Sequence, residues 1–227
     1  MKKFEILFID VDETLYPKSN GLWQAISDRI NGYLVDRLDL PIEDAKIIRQ
    51  EYLDLYGTTL EGLRQNYNVD PADYLEYVHD IPVEEMIQPD PAIRDTFLKL
   101  DLMCVIFTNA SAQHAERILR HLNISDLITQ IIDILALGFH NKPHPEAYER
   151  ALTIVGDPDP GVCMLVDDRI RNLIPAKDLG MRTILVGDGA ITPEVDYAIP
   201  TIKELGVIPG MPTREKGKME EIGQDEN

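Results

Sequence analysis

The sequence predicts an α/β protein: a doubly wound parallel sheet whose first strand is followed by an inserted, all-helical cap. Two features of the hydrophobic pattern indicate this fold. Short apolar segments recur without polar alternation, as in parallel strands that are covered on both faces. After residue 103, segments with helical spacing lie between these apolar segments, which implies right-handed strand–helix–strand units. Between residues 18 and 88, by contrast, only helical spacing is found.

The expected elements follow the chain in order. Strands are expected at residues 5–10, 103–108, 130–134, 162–166 and 183–186. Helices between them are expected at 111–121, 145–155 and 170–179, with Ser111 as an N-cap and Gly156 and Gly180 as stops. Inside the insertion, helices are expected at 22–38, 42–56 and 71–79. The core therefore comprises residues 1–17 and 89–208, the cap comprises 18–88, and the polar segment 209–227 is expected to be a disordered tail.

Composition limits the class of protein. The 227 residues contain 44% hydrophobic residues, enough for a core of ordinary size. The net charge of −18 argues against a nucleic acid polymer or an anionic membrane surface as a partner. Residues 6–9 are too short an apolar run for a signal peptide, and Cys104 and Cys163 lie in strand-like segments, so we expect a cytoplasmic protein with free thiols. No pattern indicates an oligomeric state.

Polar residues cluster at the ends of the expected strands. Asp10 and Asp12 follow the first strand, where open α/β sheets bind ligands, although a simple capped turn has the same pattern. The other candidates are Thr108 and Asn109 after the second strand, Lys142 before a helix, and Asp167 and Asp168 after the fourth strand. Because parallel strands end at one edge of a sheet, we expect these side chains to converge.

A cluster of this kind requires a cation. Two carboxylates about 4 Å apart repel by about 4 kcal/mol at an effective dielectric constant of about 20. Four aspartates facing one lysine would either take up protons or bind a metal ion. Oxygen ligands without cysteine or histidine favour Mg²⁺ over Zn²⁺. The alternative is a set of unrelated aspartates that cap helices.

Together, these motifs resemble the haloacid dehalogenase (HAD) superfamily. The Asp-x-Asp-x-Thr segment at 10–14, the strand-end Thr108, the Lys-Pro pair at 142–143 and the Asp-Asp pair at 167–168 occur in the superfamily's order. The resemblance implies a HAD-like Rossmannoid core. The second aspartate, Asp12, is typical of the superfamily's phosphatases and phosphomutases, whereas dehalogenases lack it. The resemblance therefore implies a phosphatase that acts on a small-molecule phosphomonoester.

A narrower resemblance is to pyrimidine 5'-nucleotidases. It rests on residues 12–17, on 56–63 and 74–80 in the insertion, and on 166–172, and it covers about residues 4–205. This resemblance implies dephosphorylation of pyrimidine nucleoside 5'-monophosphates. Phosphatases of sugar phosphates or other small phosphoesters are the alternative, because sequence alone reads cap contacts poorly. A non-catalytic binding module is a further alternative, which would be expected to lack Asp10 or Asp12.

The family resemblance also implies roles for the acidic residues. Asp10 would attack phosphorus and form an aspartyl-phosphate, and Asp12 would be the general acid and then the base. We expect neighbouring carboxylates to shift the pKa of Asp12 toward neutrality. Mg²⁺ would be held by Asp10, the backbone carbonyl of Asp12 and Asp168. Asp167 would be an outer-shell partner with Asn172 nearby.

Phosphate and substrate contacts follow from the same resemblance. Thr108 and the Asn109 backbone amide would bind phosphoryl oxygens, and Lys142 would offset their charge. In the cap, Arg64 and Asn66 are candidates for contacting the base. Other conspicuous residues are expected to be structural or solvated. His144 is expected to be structural, His114 and His121 solvated, and Trp23, Tyr52 and Tyr56 part of the cap's own core.

Overall fold

The computed structural model describes residues 3–189 and 191–214. Its centre is a six-stranded sheet in which every adjacent pair of strands is parallel. The strands are β1 (Ile6–Ile9), β2 (Met103–Phe107), β3 (Gln130–Ile132), β4 (Cys163–Asp167), β5 (Arg182–Val186) and β6 (Tyr197–Ile199). They lie in the order β3-β2-β1-β4-β5-β6, so β1 is flanked by β2, which Thr108 and Asn109 follow, and by β4, which ends at Asp167.

Helices cover both faces of the sheet and form the insertion. The insertion contains α1 (Leu22–Leu38), α2 (Ile42–Tyr56), α3 (Thr59–Tyr67), α4 (Pro71–His79) and α5 (Val83–Met86). The core helices are α6 (Pro91–Lys99), α7 (Ala112–His121), α8 (Pro145–Ile154) and α9 (Ile170–Asp178). Short 3-10 helices lie at Lys18–Asn20, Ser125–Leu127, Pro160–Val162 and Ile202–Val207.

Alternation along β1 explains why the sheet is buried on both sides. Ile6 and Phe8 point into a cluster with α8 and α9, whereas Leu7 and Ile9 point into one with α6 and α7. All four are buried. The cluster that contains Leu7 and Ile9 continues without a break into the apolar residues of α1, α3 and α4. The cap is therefore packed as an extension of one face of the core.

The end of α2 fixes the cap against a core loop. The carbonyl of Tyr56 accepts hydrogen bonds from Asn141 Nδ2 at 3.1 Å and His144 Nε2 at 3.0 Å. The carbonyl of Gly57 accepts one from Arg171 at 3.0 Å. Gly57 has a φ of +79°, and a Cβ built there would collide with Asn141 Oδ1. Glycine at this position allows the close approach, and His144 has the structural role that the sequence indicates.

The fold class is confirmed, with differences in detail. The helices α3, α5 and α6 and the edge strand β6 were not expected, because each is short or begins next to another predicted element. Cys104 and Cys163 are buried free thiols, as predicted. Within the described residues, none of the helices has the length and apolar content needed to cross a membrane.

The C-terminal segment departs from the expected tail. Thr213 forms an antiparallel bridge with Leu100, and the amide of Arg214 donates to the carbonyl of Lys99 at 2.8 Å. Met211 is buried. Residues 209–214 therefore pack against the segment before β2, because their few apolar and backbone groups find partners there. The rest of the expected tail, residues 215–227, lies outside the described residues.

Candidate active site

The carboxyl ends of two adjacent strands, β1 and β4, bring three of the predicted acidic residues together. Asp10 follows β1, while Asp167 ends β4 and Asp168 follows it. All three are buried, and one carboxylate oxygen of each lies within 4.8 Å of the others. Thr108 follows β2 and is buried beside them in the same cavity as Asp10. The topology of the sheet thus produces the convergence that the sequence predicts.

Lys142 lies inside this acidic cluster with all three of its N–H donors used. Its Nζ donates to Asp10 Oδ1 and Asp167 Oδ2, both at 2.8 Å, and to the carbonyl of Phe107 at 2.7 Å. Burial opposes its charge, but the two carboxylates raise the pKa of Lys142 above its ordinary value. Asn109 fixes the lysine backbone, accepting from its amide at 2.8 Å and donating to its carbonyl at 2.9 Å.

The cluster lacks enough positive charge within the protein. Burial raises the pKa of Asp10 to about 8 despite the adjacent Lys142 ammonium, and the two other carboxylates contribute to the rise. Burial also raises the pKa of Asp168, together with the charge of Asp167, although Lys18 Nζ lies 3.0 Å from its Oδ2. Buried oxygen donors that hold excess negative charge are the donor set that suits a hard divalent cation. The residues present therefore fit Mg²⁺.

Asp167 differs from its two neighbours because the protein already satisfies its oxygens. Besides Lys142, it accepts from the side-chain amide of Asn172 at 2.9 and 3.0 Å. The backbone amide of Arg169 donates to Oδ1 at 2.9 Å. These bonds direct the oxygens of Asp167 toward Lys142, Asn172 and the Arg169 amide.

Asp12 has a different environment from the one that the sequence indicates. Its Oδ1 accepts a hydrogen bond from Tyr16 Oη at 2.6 Å and another from His114 Nε2 at 2.8 Å. Burial would raise the pKa of Asp12, but the charge of His114 and the two hydrogen bonds lower it to about 2. The expected shift toward neutrality by neighbouring carboxylates is therefore wrong, because those carboxylates surround Asp10 instead.

The prediction that His114 is solvated is also wrong. Its side chain is fully buried on the inner face of α7, and its ring stacks on His79 with centroids 4.3 Å apart. The spacing of α7 contained the signal, since His114 lies four residues before the buried Ile118 and so shares its face. His121 is half-buried rather than freely solvated, and its Nε2 donates to the carbonyl of Ile87 at 2.7 Å.

A cavity of about 120 Å³ separates Asp10 and Asp12 from the cap. Its cap wall is mainly apolar, with one cationic side chain. That wall contains Trp23, Ile26 and Ile30 of α1, Arg49 and Leu53 of α2, Leu60 of α3, and Tyr74, Leu75 and Val78 of α4. Arg49 donates to the hydroxyl of Ser27. On the core side, the Arg169 guanidinium lies 4.6 Å from the centroid of the Trp23 ring.

The two residues that the sequence nominated for base contact do not line this cavity. Arg64 pairs with Glu61 at 2.6 Å and covers the ring of Phe139 at 3.7 Å. Asn66 donates to the carbonyl of Gly62 at 2.8 Å. They lie late on α3, whose start, not its end, contributes to the cavity wall. Arg49 and Trp23 line the cavity instead; Trp23 was expected to belong to the cap's own core, and no sequence pattern indicated Arg49.

Comparisons with known proteins agree with this geometry. A family model of haloacid dehalogenase-like hydrolases matches residues 4–180. The curated relative "Phosphate metabolism protein 8" of Saccharomyces cerevisiae is 25% identical over an alignment of 195 positions, which covers 80% of this chain. The chain spans only 61% of the length of that relative.

Solved structures share the fold at low sequence identity. The HAD-hydrolase YfnB from Bacillus subtilis bound to magnesium has a TM-score of 0.61 at 16% identity, covering 91% of this chain and 99% of that one. The HAD phosphatase from Thermococcus onnurineus has a TM-score of 0.58 at 21% identity, covering 93% and 100%. The L-2-haloacid dehalogenase from Xanthobacter autotrophicus has a TM-score of 0.56 at 15% identity, covering 89% and 96%.

Proposed function

Because the chain belongs to the haloacid dehalogenase-like hydrolase family, we propose that it is a Mg²⁺-dependent phosphomonoester hydrolase. The observation that supports this reaction best is that Asp10 and Asp12 line one cavity with Lys142 and Asp168. In this proposal, these residues supply the nucleophile, the acid/base group, an ammonium and a metal ligand. Free buried thiols and the acidic surface are consistent with a cytoplasmic enzyme of small-molecule substrates.

The metal would be held by Asp10, Asp168 and the backbone carbonyl of Asp12. When bound, Mg²⁺ neutralises charge between the nucleophile and an anionic phosphoryl group and orients that group. Asp167 supports the site from outside, since its oxygens are occupied by Lys142 and Asn172. We propose that Lys18, which is 3.0 Å from Asp168, withdraws when the ion occupies this position.

In the first step, a carboxylate oxygen of Asp10 attacks phosphorus. The bond between phosphorus and the ester oxygen breaks, and the departing oxygen takes a proton from Asp12. Thr108 and the Asn109 amide hold the phosphoryl oxygens during transfer, and the Lys142 ammonium, hydrogen-bonded to Asp10, offsets their charge. The products of this step are the free alcohol and an aspartyl-phosphate on Asp10.

In the second step, water attacks the phosphorus of the aspartyl-phosphate. Asp12, now ionised, takes a proton from that water, and the bond from phosphorus to Asp10 breaks. Inorganic phosphate leaves, the Asp10 carboxylate is restored, and Asp12 is protonated again. A pKa of about 2 keeps Asp12 ionised in the free site, and an anionic phosphoryl group bound beside it favours the protonation that the first step needs.

For the substrate, we propose pyrimidine nucleoside 5'-monophosphates. The cap segments that resemble pyrimidine 5'-nucleotidases support this choice, as does a cap wall that combines an aromatic ring, aliphatic side chains and the Arg49 guanidinium. Trp23 can pack on a flat base, and Arg49 can donate to its carbonyl oxygens. Sugar phosphates and other small phosphoesters are the competing substrates.

The test is phosphate release from UMP and CMP, compared with purine nucleotides and sugar phosphates, with Mg²⁺ and with EDTA. We expect Mg²⁺-dependent release that is fastest with the two pyrimidine nucleotides. Equal rates across the panel would reject the nucleotide assignment and leave the phosphatase assignment intact. Asp10→Asn should abolish turnover, and full metal-dependent activity in that variant would reject the covalent mechanism.

A further inference from the structure

The carboxylate of Asp12 is held through a single oxygen. Tyr16, four residues later in the chain, and His114, on helix α7, both donate to Oδ1. Oδ2 is therefore the oxygen that remains for the cavity that Asp12 lines. Two donors on one oxygen fix the plane of the carboxylate, and this orientation matters for a group that must exchange a proton at a defined position.

His114 is itself held from the cap. Its ring stacks on His79, the last residue of α4, with an interplanar angle of 14°. His79 Nδ1 lies 3.1 Å from the hydroxyl of Ser111, which also accepts from the His114 amide at 3.4 Å. Arg117, one turn further along α7, donates to the carbonyl of His79 at 3.3 Å. The end of α4 and the start of α7 thus form one hydrogen-bonded unit.

A purely space-filling role does not account for this arrangement. His114 Nδ1 is buried without a hydrogen-bond partner among the described residues. An unpaired buried nitrogen is unfavourable, and an apolar side chain in the same place would avoid it. The feature that distinguishes histidine here is the Nε2–H donor that reaches Asp12.

We propose that His114 is a positioning residue for Asp12, and that His79 of the cap secures it, so that Asp12 is correctly oriented when the cap is seated. The inference rests on the proposed function, in which Asp12 gives and takes protons. It adds a connection from the cap to the acid/base group through two histidines. His79 also lines the cavity, whereas His114 does not and acts in this scheme only through Asp12.

The test compares His114→Leu, which removes the donor, with His114→Gln, whose amide can donate from a similar position. His121→Gln is the matched control, because His121 is on the same helix and donates to a carbonyl away from the cavity. For His114→Leu we expect kcat on the best alkyl phosphate to fall about 100-fold, with KM changed by less than about threefold. His114→Gln should recover part of the loss, and the control should match the wild type.

A second substrate separates positioning from a structural effect. In 4-nitrophenyl phosphate the leaving group departs without protonation, so the first step does not need Asp12 as an acid. With His114→Leu, we therefore expect a burst of nitrophenolate near one equivalent per site, followed by slow turnover. A general loss of structure would lower the burst itself. If His114→Leu does not fold, Tyr16→Phe is the substitute variant. It removes only the Tyr16 hydroxyl, which is the other donor to Asp12, and it should give the same burst pattern.

Three results would overturn the inference: wild-type kcat in His114→Leu, no recovery in His114→Gln, or no burst in either donor variant. His79→Ala should give a smaller fall in kcat than His114→Leu, and an unchanged kcat would remove the cap from the proposal. A wild type that releases no phosphate from any ester would overturn the proposed function itself. The two failures can be told apart. An inactive wild type rejects the proposed function, whereas an active wild type with unaffected histidine variants rejects only the positioning role of His114.

Discussion

Replacing Lys142 by methionine should destabilise the metal-free protein strongly. The side chain is 1% exposed and donates to two buried carboxylates and one carbonyl. Methionine has a similar length, so the change removes the charge and donors while leaving little empty space. Asp10 and Asp167 would then be buried together without a nearby cation.

The magnitude follows from the loss of one partner of a buried ion pair, which costs about 3–5 kcal/mol. Part of this loss is relieved when Asp10 takes up a proton, since burial already raises its pKa to about 8. Proton uptake becomes more difficult as the pH rises. The destabilisation of Lys142→Met should therefore be smaller at about pH 6 than at about pH 9. The difference is about 1.4 kcal/mol for each pH unit in which Asp10 is protonated in the variant but ionised in the wild type.

The assay is urea unfolding followed by circular dichroism in EDTA, at both pH values, and repeated with Mg²⁺. Bound Mg²⁺ should restore part of the stability, about 2.7 kcal/mol when its concentration is 100 times its dissociation constant. Lys46→Met is the control, because the Lys46–Glu43 pair is exposed, and it should unfold at the wild-type midpoint. A loss below about 1 kcal/mol in EDTA at the higher pH would refute the view that Lys142 compensates these carboxylates.

Two further variants test the cap and its histidine. Gly57→Ala and Gly156→Ala both place a side chain at positive φ, which costs about 1 kcal/mol. Of these two positions only Gly57 lacks room for a Cβ, so Gly57→Ala should lose more stability than Gly156→Ala. Only Gly57→Ala should therefore also lower kcat/KM, and equal effects on activity would argue against cap docking at this position. Burial lowers the pKa of His79 to about 3, so the folded protein resists a proton that the unfolded chain gains below about pH 6.5. The wild type should lose about 2 kcal/mol more than His79→Gln between about pH 7 and pH 5, and parallel urea midpoints would contradict this.

The core of the fold was predictable because its signals are local. Continuous apolar runs such as 103–108 can be buried only in a sheet that is covered on both faces, and the parallel order then follows from the helices between the runs. The edge strand β6 escaped prediction because it has three residues, Tyr197–Ile199, and its identity depends on pairing with β5. Helix α3 is short and begins only three residues after α2 ends.

Within the site, prediction succeeded where a residue's place is set by the end of a strand. Asp10, Asp167 and Asp168 meet because β1 and β4 are parallel neighbours. It failed where the place depends on contact between distant segments. Arg64 and Asn66 carry suitable chemistry on a suitable helix, but the packing of α3 directs them away from the cavity.

By itself, the sequence determined the class of the fold, the edge of the sheet where chemistry occurs and the acidic residues that gather there. These depend on periodicity along the chain and on the rule that parallel strands end together. Only the tertiary structure decided that His114, 102 residues from Asp12 along the chain, holds its carboxylate, and that Arg49 and Trp23 face the cavity. Such contacts depend on how the cap packs against the core, which involves groups too far apart in sequence for any local pattern to specify.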